Sequence, residues 1–219
     1  MTVHNAVGRD PRILPAGRHG LTRAAVIDSQ RGRILVAMAQ SVAEKGYPAA
    51  TVADVLARAR VSRATFYELF ADKADCYRHV YATATRVLAD EIGAAAADEP
   101  DAAKALRASL RAYLDQLQQD PTLARAFIVE APAAPPELRQ DRWAAHRGFA
   151  GHLQQLAAAA ADQAGAPPPP GLAGATAVGA LLHIVCEALQ TDPERDLTDL
   201  HVPLESALGA MLLPSARPA

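Results

Sequence analysis

The chain has 219 residues, of which half are hydrophobic and 51 are alanine, while aromatics make up 5%. Alanine favours helix and fills little volume, and the alternating Val, Ile, Thr and aromatic runs of strands are missing, so the composition predicts an all-α fold of closely packed helices. The net charge of -2 conceals a division: residues 1–82 hold 12 Lys and Arg against 7 Asp and Glu, and residues 83–219 hold 10 against 17. A basic front and an acidic rear suggest that the front meets a polyanion.

Residues 1–27 carry Gly, Pro and four arginines, Arg9, Arg12, Arg18 and Arg23. They show no helical period before Leu21 and read as a disordered basic arm that can touch a minor groove. They also lack the apolar core of a secretory signal. A first helix runs from near Asp28 to Lys45, with Ile34, Leu35, Met38 and Val42 as its apolar stripe and Gly46 as its stop. Thr51 caps a second helix to Ala59, where Val52, Val55, Leu56 and Ala59 recur at i, i+3, i+4, i+7. A turn at Arg60-Val61 follows. Ser62 then caps a short third helix ending near Phe70, with Phe66, Leu69 and Phe70 inward, and a fourth runs from about Lys73 to Gly93.

The rest also reads as helix. Segments begin at Pro100 and Pro121, reaching Gln119 and Glu130, and a long one runs from Pro136 to Ala164. The run GAPPPPG is a loop. Leu172–Gln190 is the most apolar helix and includes the small residues Ala173, Gly174, Ala177, Gly179 and Ala180. A last helix starts near Pro203, with Leu204, Leu208, Met211 and Leu212 on one stripe. No apolar stretch approaches about eighteen residues without a charge, so no membrane span is expected. Cys76 and Cys186 form no disulfide framework or metal-ligand spacing, which points to a reducing, cytoplasmic setting.

A longer helix followed by two short ones joined by a tight turn forms a helix-turn-helix unit, whose second short helix can enter the major groove. On that helix Ala64, Tyr67 and Glu68 point away from the apolar side, with Arg63 at the exposed amino end and Thr65 at the boundary. Arg63 can pair with a guanine edge, Thr65 can meet a base or phosphate, and the Tyr67 hydroxyl can reach a phosphate. Geometry alone equally fits a plain helical subdomain with Tyr67 half-buried and Arg63 solvated.

The segment TVADVLARARVSRATFYELFADKADCY, Thr51 to Tyr77, resembles the DNA-binding region of TetR-family transcriptional regulators. That family typically shows Thr-Val-x-x-Ile-Ala-x-x-Ala-Gly-Val-Ser-x-x-Thr-hydrophobic-Tyr-x-x-Phe-x-x-Lys. Thr51, Val52, Val55, Ala59, Val61, Ser62, Thr65, Phe66, Tyr67, Phe70 and Lys73 fall in place, and Arg31, Ile34-Leu35 and Gly46-Tyr47 fit before them. Two positions depart: Arg60 stands where the family has glycine, and Leu56 replaces a small residue where the short helices cross. If Arg60 must take a positive φ, the cost is ~1 kcal/mol.

The resemblance implies that Thr51, Tyr67 and Lys73 hold phosphates, with Arg31 in support. It implies that Arg63, Ala64 and Thr65 face bases, with Glu68 on the same face. It further implies a DNA-binding domain over 28–75 and a regulatory and dimerisation domain over 76–219. A homodimer would form through helices 172–190 and 203–213, on a palindromic operator. A small apolar effector would bind among Tyr113, Phe127, Trp143, Phe149 and His183, the few large or polar groups of an alanine-rich bundle. Repression relieved by that effector is the expected mode. Activation, or a helical interaction module without DNA binding, are the alternatives. No catalytic constellation or cofactor motif stands out, so an enzyme is not expected. His146 and His152 lie six apart, on different faces of a helix, so no metal site is expected either.

Overall fold

The computed structural model describes residues 22–134 and 136–214. The proposed arm therefore lies mostly outside the described residues. Its last residues do not: Thr22 caps a helix that starts at Arg23, five positions ahead of the expected start. Nothing polar interrupts Ala24-Ala25-Val26-Ile27, so the helix extends back to the next hydroxyl able to cap it.

Among the described residues there is no strand. The helices in order are α1 (Arg23–Lys45), α2 (Val52–Ala59), α3 (Arg63–Leu69), α4 (Lys73–Ala97), α5 (Ala102–Gln119), α6 (Pro121–Ala124), α7 (Pro136–Gln163), α8 (Ala173–Thr191) and α9 (His201–Leu212). α6 runs on into a π-helical turn, Arg125–Glu130, and a 3-10 turn, Ala131–Ala133, while another 3-10 turn, Leu197–Leu200, leads into α9. α4 reaches Ala97 because the alanine run after Gly93 continues the helix.

The chain divides into two compact units. One comprises the chain up to Val87 together with Thr122–Arg139, and the other comprises Leu88–Pro121 and the chain from Gln140 onward. In the first, Ile34, Met38, Val42, Val55, Phe66, Phe70, Cys76, Tyr77 and Val80 form a closed core. Arg125 of the π-helical turn donates through Nε to the Ala43 carbonyl at the end of α1.

In the second unit, Leu106, Leu110 and Leu114 of α5, Leu153 of α7 and Leu181 and Val185 of α8 are fully buried. α8 is the one described helix long and apolar enough, by length and composition, to cross a bilayer. Eight of its residues, Ala173, Gly174, Ala177, Val178, Leu181, Val185, Ala188 and Leu189, are instead buried within the fold. Gly174 is required there: a Cβ on it would lie 2.2 Å from the Ala150 carbonyl oxygen of α7. The leucine stripe of α9 also turns inward. Leu204, Leu208 and Leu212 are 1–3% exposed, so they close the unit's own core.

Candidate nucleic-acid interface and effector seam

The reading head is held by caps, and each cap is local. Thr51 Oγ1 accepts from the Asp54 N–H while Asp54 Oδ2 accepts from the Thr51 N–H, a reciprocal capping box at the start of α2. Lys45 Nζ donates to Asp54 at 2.5 Å. That bond, with those from Thr51, holds the Asp54 carboxyl well below the usual range. α2 ends at Arg60, whose φ of 54° and ψ of 50° are left-handed. It is the only non-glycine residue with positive φ among those described. The family-type glycine position thus keeps its backbone geometry with arginine in it. Arg33 of α1 donates to the Ala59 carbonyl at 3.0 Å, filling a bond that the end of α2 leaves open.

Ser62 caps α3, its Oγ accepting from the Thr65 N–H at 3.0 Å. Phe66 and Phe70 are buried, and the Arg31 guanidinium lies 5.1 Å above the Phe70 ring. With those rings inward, Arg63, Ala64, Tyr67 and Glu68 face solvent, and Tyr67 is 49% exposed. Thr65 is half-buried and its hydroxyl lies 2.9 Å from that of Ser62. Thr51 is exposed, with its hydroxyl donating to Asp54.

Lys73 has a different place from the one its position in the pattern suggests. Its ammonium donates to the carbonyls of Tyr47 and Ala50, both at 2.9 Å, and sits 4.2 Å from the Tyr47 ring centroid. Burial lowers its pKa. The two carbonyls lie in the segment leading into α2, so Lys73 fixes that segment. Burial, then the charges of Asp72 and Glu137, raise the pKa of Tyr47.

Of the five residues expected to line an effector pocket, four belong to the second unit, and these four do not all converge. Phe127 belongs to the first unit, packed edge-on against Tyr81 at 5.3 Å. Trp143 is 60% exposed, and His183 is exposed. Residue type selected these three, but helix phase turns Trp143 and His183 outward. Tyr113 and Phe149 do meet in the second unit, stacked 5.3 Å apart with planes 13° from parallel. Beside them Ser109 Oγ lies 2.9 Å from His152 Nε2. From the sequence, His152 is weighed only as a metal ligand, and Ser109 is not singled out. The spacing of Ser109, Tyr113 and Gln116, at i, i+4 and i+7 on the apolar side of α5, was the signal. Burial depresses the pKa of both His152 and His146, with Arg142 adding to the effect on His146. Among the described residues no three His, Cys, Asp or Glu side chains gather as a metal set.

A capped pair of short helices presenting one polar face, braced by a third, has the arrangement of a helix-turn-helix head. The sequence profile described as "Bacterial regulatory proteins, tetR family" matches residues 34–80. The HTH-type transcriptional activator FasR of Mycolicibacterium smegmatis is 28% identical over 106 residues, 48% of each chain. The match spans about half the length of that relative. The fatty acid degradation regulator FadR from Bacillus halodurans has a similar fold, with a TM-score of 0.73, 24% identity, and coverage of 80% of this chain and 96% of that one. FadR from Bacillus subtilis, solved in complex with stearoyl-CoA, gives 0.71 and 20%, with coverage of 80% and 96%. A TetR-family regulator from Streptomyces coelicolor gives 0.67 and 20%, with coverage of 90% and 98%. Residues 34–80 thus resemble the DNA-binding head of the tetR family of bacterial regulatory proteins.

Proposed function

We propose that the protein is a cytoplasmic, sequence-specific repressor that occupies a palindromic operator as a homodimer and leaves it when an acyl-chain effector binds the second unit. The observation that carries the reading is the outward face of α3, where Arg63, Ala64, Tyr67 and Glu68 are exposed above a buried Phe66 and Phe70. Arg63 suits a guanine edge, the methyl groups of Ala64 and Thr65 suit thymine, and Glu68 suits the amino group of cytosine. In this reading Tyr67 and Thr51, with Arg31 in support, meet phosphates. Arg60 adds a further exposed charge beside the turn. Lys73 acts on DNA indirectly, through the segment that aims α2.

One head reads few bases, so useful affinity needs two on a symmetric site. With the leucine stripe of α9 turned inward, the surface left for a second copy is the opposite side of that helix. Val202, Ser206, Gly209 and Leu213 line a groove of about 520 Å³ there, and Val202 is 74% exposed. The outer side of α8 carries Ala175 and Gly179, small residues that permit close helix approach. The effector class follows the relatives: one neighbour is named as a fatty acid degradation regulator, and a second was solved with stearoyl-CoA. Release requires that the effector bind the DNA-incompetent state more tightly.

The test is selection from random duplex DNA by the purified protein, followed by titration of the selected duplex with stearoyl-CoA. A palindrome with half-sites about one helical turn apart, released by stearoyl-CoA, is the expected result. Absence of enrichment overturns specific DNA binding, an asymmetric single half-site overturns the dimer, and unchanged binding with stearoyl-CoA overturns the effector class. The FasR relative is an activator. A reporter placed behind the selected duplex settles the sign: expression that falls on loss of the protein marks activation.

A further inference from the structure

The second unit buries polar side chains along one stripe of α5. Ser109, Gln116 and Asp120 are 0%, 7% and 9% exposed, and Tyr113 at 5% lies among them. The spacing of four and three places Ser109, Tyr113 and Gln116 on one helix face, and Asp120 is the residue that ends the helix. Two contacts set what that face meets. Ser109 pairs with His152 and Tyr113 stacks on Phe149, so α5 and α7 advance in opposite directions along a common seam. Continuing that register places His146, then Arg142, level with Gln116 and Asp120.

The donors and acceptors along the seam can be counted. Ser109 Oγ donates to the Ala105 carbonyl at 2.9 Å, so at Ser109 the His152 Nε2 must be the donor. That pair is satisfied. Further along it, Gln116 Oε1 is buried and has no hydrogen-bond partner. Arg142 Nε is likewise buried without a partner, although its charge is felt by His146 one turn away. A buried amide oxygen and a buried guanidinium nitrogen left unbonded are costly in a folded core, so their persistence calls for an explanation. Asp120, at the end of α5, comes level with Arg142 in that register and brings a carboxylate to that end of the seam.

We propose that Gln116 and Arg142 form the polar-head subsite of the effector site, Arg142 taking the uncharged carbonyl of an acyl thioester and Gln116 an N–H of its arm, while the Tyr113–Phe149 stack borders the chain. This rests on the reading of the second unit as an acyl-effector domain. A carbonyl oxygen accepts from Arg142, and a thioester arm bearing an amide N–H donates to Gln116 Oε1. A bare carboxylate is disfavoured, because it brings a second negative charge to the side of Asp120. A hydrocarbon alcohol has a single oxygen to serve both groups, whereas the thioester arm brings a separate acceptor and donor.

The full chain is titrated with the lauroyl thioester of N-acetylcysteamine, with laurate and with dodecanol, by calorimetry. Gln116→Leu and Arg142→Met are carried through the same series, and their melting temperatures are recorded without ligand. The expected order in the wild type is thioester above laurate and dodecanol. Each substitution weakens thioester binding about tenfold or more, as loss of a bond to a buried or charged group does. Gln116→Leu also raises the melting temperature by about 2–4 °C, since it replaces an unbonded buried amide by an apolar side chain. Thioester binding that both variants retain overturns the subsite while leaving the effector reading intact. Laurate or dodecanol binding as tightly as the thioester overturns the carbonyl assignment. A wild type that binds none of these probes, nor stearoyl-CoA, overturns the subsite and the effector reading together. A lowered melting temperature for Gln116→Leu with unchanged affinity marks the amide as structural and also overturns the subsite.

Discussion

The Tyr77 hydroxyl donates to the Ala126 carbonyl oxygen at 2.5 Å, and both residues are buried. The bond joins α4 to the π-helical turn, 49 residues further along the chain. A π-helical turn displaces carbonyls from the regular α-helical ladder, which leaves one of them open to a side-chain donor. Segment Thr122–Arg139 thereby belongs to the same compact unit as the reading head. Tyr77→Phe removes the donor and keeps the ring. It is expected to destabilise the protein by about 1–3 kcal/mol, the cost of a buried acceptor losing its partner. Urea denaturation checks this: the midpoint should fall with an unchanged m-value. An unshifted midpoint would show that the carbonyl finds another donor.

Arg60 occupies a left-handed conformation that glycine adopts without strain. Arg60→Gly relieves that strain but frees the unfolded chain, so the expected net gain is about 0.5–1 kcal/mol. If the exposed guanidinium also meets a backbone phosphate, the same change weakens DNA binding. The slope of log affinity against log salt then falls by about 0.9. Stability and affinity should therefore move in opposite directions in one variant. A gain in stability with unaltered affinity and slope would assign Arg60 no role on DNA.

The two bonds from Lys73 to the Tyr47 and Ala50 carbonyls lead to a separate prediction. Lys73→Met keeps an unbranched stem beside the Tyr47 ring and removes both bonds. A brace lost in this way lowers operator affinity by a similar factor at every salt concentration. A lost phosphate contact instead flattens the salt slope by about 0.9. Arg63→Ala supplies the comparison, because a base contact relaxes sequence preference at one operator position. Fluorescence anisotropy at several salt concentrations separates these outcomes. A slope flattened by Lys73→Met would return this residue to the phosphate set.

Apart from the start of α1, the helix boundaries of the head were legible because caps and stops act within a few residues. Thr51 with Asp54, Ser62 with Thr65 and Gly46 after Lys45 each do their work locally. The inward phase of Phe66 and Phe70 and the outward phase of Tyr67 followed from helical period alone. What was hidden depends on residues far apart in sequence. The place of Lys73 is set by carbonyls 26 and 23 positions earlier. The π-helical turn sits against Tyr77 and Ala43. Large size and polarity were a poor guide to the polar seam between α5 and α7, because they select Trp143 and His183 as readily as Tyr113. Phase on α5 was the better guide, since Ser109, Tyr113 and Gln116 share the side of Ala102, Ala105 and Leu106.

Two glycines of α8 separate close packing within the unit from open surface. A Cβ at Gly174 would meet the Ala150 carbonyl at 2.2 Å and the Gln154 N at 3.1 Å, both backbone atoms that cannot rotate away. Separating α7 from α8 would also stretch the bond from the Gly174 N–H to Gln154 Oε1, now 2.8 Å. Gly174→Ala is therefore expected to destabilise by about 1–3 kcal/mol or more, as overpacking does. At Gly179 the same Cβ meets nothing within 4 Å. Gly179→Ala should stabilise the isolated chain by up to about 1 kcal/mol through helix propensity. Thermal melts of both variants at several protein concentrations test this and probe the dimer as well. If Gly179 lies where a second copy packs closely, the gain appears only at low concentration and reverses as the dimer forms. A gain independent of concentration places Gly179 outside the interface.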